Sequence, residues 1–412
     1  MYGQDTKLSD FFYSAMMLNT DMNYRTYADL KENKAVQNYR DLSDEHILDR
    51  IISGDYDLKP ETVNKIKKLK DSYGRIMKIT QKYKKIAEEN SIKVVSCLER
   101  RYPYNWKVLS GMPKVFYYRG NYSVIDSMTL SGSVAVVGSR NASKYALYAT
   151  EQICNELGTK GITVVSGMAY GIDRHAHIAS VKTPGSTVAV LAGGADNIYP
   201  PANRDVYDAI CAEGVVISEM PPGQTPLRNY FPSRNRLIAG LSDCTLIMEA
   251  GAVSGTLHTA SFAAAQGKEV FVLPNNIYYE NAMGGLKLLE DGGNVLLNSE
   301  SVIDGVARSV MYKRIGMGCS AELCFRDNDE NVFEDEANIG VLRELAKLKP
   351  EALTDDNWKI LIKDALTLKP LCADDLCVMT SLPFYKVSKL LTELELNGTV
   401  CQEKGKYSLT FV

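Results

Sequence analysis

From residue 133 the chain repeats one pattern. Short runs that are apolar throughout and rich in β-branched residues, at 134–137, 162–165, 187–191, 215–218, 244–248, 270–273 and 294–297, alternate with stretches whose apolar residues recur three and four apart. Runs without polar alternation belong to strands covered on both faces, and helical crossovers between them make neighbouring strands parallel. The pattern predicts an α/β fold built on an extended Rossmann-like, doubly wound parallel sheet. Upstream, helical spacing over 8–18, 43–52 and 60–89 predicts a small helical, SAM-like domain, and 92–128 predicts an extended connector with a strand or two. Downstream, an acidic stretch poor in apolar residues at 327–336 reads as a linker. Three helical segments (358–366, 372–379, 383–397) and a hairpin at 398–409 then predict a winged helix. The expected boundaries are a helical domain at 1–95, the Rossmann-like domain at 96–310, a linker at 311–350 and the winged helix at 351–412.

Composition narrows the class. The chain has 412 residues and a net charge of −3, with no run apolar enough to span a bilayer and no secretory leader, so a cytoplasmic location and no membrane partner are expected. Nine cysteines are scattered without a Cys-x-x-Cys pair, which fits reduced thiols and no metal site. Charge is uneven: net +5 over 1–130, and −4 over each of 131–300 and 301–412. The densest basic run is Lys65, Lys67, Lys68, Lys70, Lys78, Lys82, Lys84 and Lys85. A local nucleic-acid footprint and a solvated helix face explain it equally well.

In an open parallel sheet, ligands bind outside the carboxyl ends of the strands, and there the sequence is distinctive. The first strand ends in Gly138-Ser139-Arg140-Asn141, the second in Ser166-Gly167-Met168-Ala169-Tyr170-Gly171, and the fifth in Glu249 followed by Ser254-Gly255-Thr256. The fourth leads to Phe231-Pro232-Ser233-Arg234-Asn235-Arg236, where Ser233 is a plausible N-cap presenting free N–H groups and two arginines to an anion. Small residues, hydroxyls and three cations on one face suit a chain of phosphates. The expected contacts are Gly138, Ser139, Arg140, Ser166, Gly167, Ala169, Gly171, Arg234, Asn235, Arg236, Ser254, Gly255 and Thr256.

Catalytic signatures are mostly missing: the chain has no P-loop, Gly-x-Gly-x-x-Gly fingerprint or Gly-x-Ser-x-Gly elbow. Asp173, Glu219 and Glu249 read better as loop-holding carboxylates than as acids and bases. His175 and His177, two apart, are expected in helix packing rather than as a zinc pair. No catalytic residue and no cofactor is expected. The competing reading is a nucleotide-processing, phosphoribohydrolase-like enzyme using Glu249.

The strand-end motifs, in their order and spacing, resemble the DNA-processing protein A family (DprA/Smf). The residues that carry this are Val136 to Arg140, Val165 to His177, Tyr199-Pro200, Ser218-Glu219, Phe231 to Ser242, and Glu249-Ala250 with Ser254-Gly255-Thr256, preceded by Tyr102-Pro103 and Val115 to Gly120. The resemblance implies a homodimeric, cofactor-free protein that binds single-stranded DNA, protects it and loads the RecA recombinase during natural transformation. The sequence departs from the family at Leu273-Pro274-Asn275 and at His258, which adds a polar group near the anion face. Apolar residues around 257–265 and 286–289 are candidates for the dimer contact.

Overall fold

The structure, a computed structural model, describes residues 60–97, 99–320, 355–368, 372–380, 382, 384–403 and 405–410. The helices expected at 8–18 and 43–52 and the acidic stretch at 327–336 lie outside the described residues. Helix α1 (Pro60–Glu89) leads into β1 (Lys93–Ser96), α2 (Tyr104–Lys107), β2 (Val115–Gly120) and α3 (Ser123–Ser131). The alternating part follows: β3 (Ser133–Gly138), α4 (Lys144–Thr159), β4 (Thr163–Ser166), α5 (Ile172–Ser180), β5 (Thr187–Leu191), α6 (Arg204–Glu213), β6 (Val215–Ser218) and α7 (Tyr230–Leu241). It continues through β7 (Cys244–Glu249), α8 (Thr256–Ala265), β8 (Glu269–Val272), α9 (Met283–Glu290), β9 (Asn294–Val295) and α10 (Ser299–Ser320).

These strands form one sheet in the order β1-β2-β6-β5-β4-β3-β7-β8-β9. From β6 to β9 every pairing is parallel. Strands β3 to β7 are buried over almost their whole length, as their unbroken apolar runs require. The crossovers reverse direction at β3, whose neighbours are β4 on one side and β7 on the other. A crevice opens at such a switch point because the flanking loops lead away to opposite faces.

Two expectations need correction. The connector at 92–128 is part of the body: β1 and β2 extend the sheet antiparallel to β6, so the boundary expected at 95/96 falls inside a strand. Its aromatic residues explain why, since Trp106, Phe116, Tyr102 and Tyr122 are buried together and the Trp106 and Phe116 rings meet edge to face at 5.2 Å. Residues 311–320, expected as the start of the linker, are helical, since α10 runs to Ser320; residues 321–350 of that expected linker lie outside the described residues. In the helices around 257–265 and 286–289, Ala260 and Ala263 are buried, while Leu257, Leu288 and Leu289 pack on the core and stay partly exposed.

The C-terminal part comprises α11 (Asp355–Leu368), α12 (Ala373–Thr380), α13 (Phe384–Leu396) and the antiparallel pair β10 (Val400–Glu403) and β11 (Lys406–Leu409). Trp358, Ile362, Leu376, Val387, Leu390 and Leu394 form its core. This is the winged-helix arrangement expected. The cations of α13 are occupied: Lys389 lies 2.8 Å and Lys386 3.6 Å from the Asp355 carboxylate.

Candidate nucleic-acid interface

A cavity of about 580 Å³ lies at the switch point. Its walls are the β3–α4 loop (Gly138 to Asn141), the first turns of α7 (Phe231, Pro232, Arg234, Asn235) and the β7–α8 loop (Val253 to Thr256). Ala169 and Asp173 contribute from the β4–α5 segment. The structure thus brings together residues from four separate strand ends.

The β4–α5 loop is shaped from within. Asp173, buried in the first turn of α5, accepts from the backbone N–H groups of Gly167 and Ala169, each at 3.2 Å. Burial raises its pKa, while the nearby Arg234 and these N–H groups pull it down. Met168 takes a left-handed backbone (φ 58°) with its side chain in the core, and its carbonyl accepts from Asn203 Nδ2 at 2.8 Å. Such a conformation costs roughly 1–3 kcal/mol in a non-glycine residue and persists where surroundings over-determine it. Gly171 (φ +69°) closes the turn; a side chain there would meet the Arg140 carbonyl oxygen at 2.7 Å. Two expected donors are therefore spent inside the loop: the N–H groups of Gly167 and Ala169 belong to Asp173. Ser166 is spent too, since its buried hydroxyl donates to Val136 O at 2.6 Å.

The arginine segment differs from its expected geometry. Helix α7 starts at Tyr230, ahead of Ser233, because the fixed φ of Pro232 suits a first turn and lets the helix begin earlier. Ser233 is consequently interior, donating back to Tyr230 O at 3.0 Å instead of capping. Two residues apart on a helix are about 200° apart, so Arg234 and Arg236 face opposite ways. Arg236 is not at the cavity; it pairs with Glu219 at 2.5 Å. Arg234 reaches the cavity wall but is 6% exposed, and its Nη1 donates to Gly167 O at 2.7 Å and to Val190 O. Burial lowers its pKa to about 10, opposed by Asp173 and reinforced by Arg140. A charge so placed is a fixed positive potential under the loop, already committed to two backbone carbonyls.

The remaining residues face the cavity. Arg140 is exposed, with its guanidinium 5.5 Å from the centre of the Phe231 ring. The Phe231 ring packs in turn on Tyr199, 5.5 Å between centroids. Asn235 Nδ2 donates to Gly255 O at 3.2 Å, tying α7 to the β7–α8 loop. In that loop Ser254 Oγ accepts from Thr256 N at 3.2 Å. Sequence reasoning did not single out Phe231, Tyr199 or Asn281 as site residues, and the structure puts Phe231 and Asn281 on the wall. A phenylalanine at the start of a capped segment looks like an ordinary hydrophobic contact until the cation above it is located. His258, flagged as a departure, also lines the cavity.

The carboxylate on which an enzymatic reading depends is engaged. Glu249 is buried and accepts from Ser143 Oγ at 2.6 Å and from Ser143 N at 3.2 Å. Ser143 in turn caps α4. His175 pairs with Glu151 on α4 at 2.6 Å, and the buried His177 meets Thr187 Oγ1 at 2.7 Å, so both pack α5. Helix α7 is pinned at its far end: Asn105 Nδ2 and Lys268 Nζ donate to carbonyls of its last turn. Burial lowers the Lys268 pKa to about 8.

Residues 93–307 match the model of the DNA recombination-mediator protein A family, and residues 344–406 match that of the DprA winged helix domain. Protein Smf of Synechocystis is 36% identical over 307 residues, covering 73% of this chain and 75% of that protein. The DNA processing protein DprA of Bacillus subtilis is 32% identical over 225 residues, covering 54% of this chain and 75% of its own length. The crystal structure of DNA processing protein A from Streptococcus pneumoniae, 28% identical, superposes on 74% of this chain and 98% of its own with a TM-score of 0.55. With the family's model matched across the sheet that carries the cavity, the chain belongs to the DNA recombination-mediator protein A family.

Proposed function

We propose that the chain binds single-stranded DNA along the switch-point cavity, protects it and passes it to the RecA recombinase, acting as a homodimer in the cytoplasm. The observation that carries the reading is the pairing of an exposed cation with an aromatic face: Arg140 over Phe231, opposite the β7–α8 loop. A ring gives any base a stacking surface and an adjacent guanidinium takes its phosphate, the combination that binds single strands without sequence preference. Family membership and the names of the relatives, which are DNA processing proteins, support the same substrate class. The phosphate-contacting set within this reading is Ser139, Arg140, Asn235, Ser254, Gly255 and Thr256, with Gly138 and Gly171 shaping the wall.

Fluorescence anisotropy with a labelled oligothymidylate tests it. Phe231→Ala should weaken binding by about 1–3 kcal/mol, the usual value of one base–aromatic stack, and Arg140→Ala should weaken it about tenfold while lowering the salt dependence. Parental affinity in both variants would remove the cavity from the DNA path.

A further inference from the structure

Helix α1 carries the basic run that the cavity does not use. Its buried residues, Ile76, Thr80 and Ala87, lie on one face. Its last turns sit at the carboxyl ends of β5 and β6, the end of the sheet on which the cavity opens. Ala87 packs with Ala195 of the loop after β5 and with Tyr117, and Ile86 lies against Gly223 of the loop after β6. The opposite face is exposed and carries Lys67, Lys68, Arg75, Lys78, Lys82 and Lys85, interrupted by Asp71 and Glu89. Lys85 is 3.9 Å from Glu89, whereas the other five have no ion pair among the described residues. Lys67 to Lys85 spans about 27 Å at 1.5 Å per residue. Strands β5 and β6 stand two and three places from β3, about 10–15 Å at the usual strand spacing. Tyr199, exposed and with its ring tilted against Phe231, belongs to the same β5–α6 segment as Ala195.

We infer that the outward face of α1 is a second contact surface for the same polyanion, holding the phosphates of single-stranded DNA that continues beyond the cavity. The inference rests on the DNA reading of the cavity and extends it to strand length: short strands meet only the cavity, and long ones also engage the helix. The cations are spread along the helix at the periphery, so they add affinity without selecting sequence. Each phosphate neutralised on a single strand contributes about 0.7 to the slope of log K against log salt.

The test uses the full chain with Lys67→Gln, Arg75→Gln, Lys78→Gln and Lys82→Gln combined, all exposed positions, against oligothymidylates of 6 and 25 nucleotides. The inference expects at least tenfold weaker binding of the 25-mer, a salt slope smaller by about 2–3 units, and unchanged binding of the 6-mer. Arginine at the same four positions should restore the 25-mer. Parental affinity and slope for the 25-mer overturn the inference, and so does an equal loss for both lengths. The Arg140→Ala variant separates the two readings: it should weaken the 6-mer as well, and its failure to do so would condemn the cavity, whatever α1 does.

Discussion

Arg234 and Arg140 stand on the same cavity, yet their removal should do different things. Arg234 is 6% exposed, and its Nη1 donates to the carbonyls of Gly167 and Val190 while its charge faces Asp173. Arg234→Ala strips two buried carbonyls of a charged donor, at about 1–3 kcal/mol each, and leaves the Asp173 carboxylate without its cation. The two lost donations together come to roughly 4 kcal/mol. For a domain of this size that is a fall of roughly 8–16 °C in Tm. Arg140 is exposed and touches only the Phe231 ring among the interactions described, so Arg140→Ala should change stability by less than about 0.5 kcal/mol. Thermal unfolding followed by circular dichroism, with oligonucleotide binding measured at 15 °C, separates the two effects. If Arg234→Ala melted within 2 °C of the parent, or if Arg140→Ala lost several degrees, the assignment of one arginine to structure and the other to ligand would be wrong.

Three further outcomes follow from the same geometry. Gly171→Ala should destabilise the β4–α5 loop and weaken DNA binding together, because the residue sits at φ +69° with the Arg140 carbonyl oxygen 2.7 Å from an added Cβ; a variant with parental Tm and affinity would contradict this. Arg236→Ala should cost stability through Glu219 but leave the affinity of the folded protein for a 6-mer unchanged, as titration below the variant's Tm would reveal. His177 is neutral in the fold, its pKa depressed to about 3 by burial and secondarily by the Arg234 charge, against an ordinary value of 6.5. Its contribution to stability is complete above pH 6.5 and drains away as pH falls toward 3, because only the unfolded chain takes up the proton, at up to about 1.4 kcal/mol per pH unit. Urea titrations from pH 7 to 4 should therefore show a shallower acid loss in His177→Asn than in the parent, and parallel curves would argue against a buried neutral imidazole.

The sequence by itself determined the parallel part of the sheet, because strand burial and helix amphipathicity are local periodicities, whereas the two antiparallel strands β1 and β2 joined it only through tertiary packing. Unbroken apolar runs such as Thr187–Leu191 can only be strands covered on both sides, and they are. It also determined where a ligand must enter, since the ends of parallel strands are fixed once the strands are. The family resemblance was legible for the same reason: the small residues of Gly138 to Arg140 and Ser166 to Gly171 stand where backbones approach closely. The use of each side chain was decided by tertiary structure. Arg234 and Arg236 look equivalent in the chain, but the helix starts at Tyr230 and turns them to opposite sides, one beneath the loop and one to Glu219. Ser166 and the N–H groups of Gly167 and Ala169 look like free donors until Val136 and Asp173, 30 and four to six residues away, claim them. Phe231 gains its meaning only from Arg140, more than ninety residues earlier in the chain. Local pattern fixes where a donor lies along the chain, but whether that donor is free depends on partners that only the packed fold brings within hydrogen-bond reach.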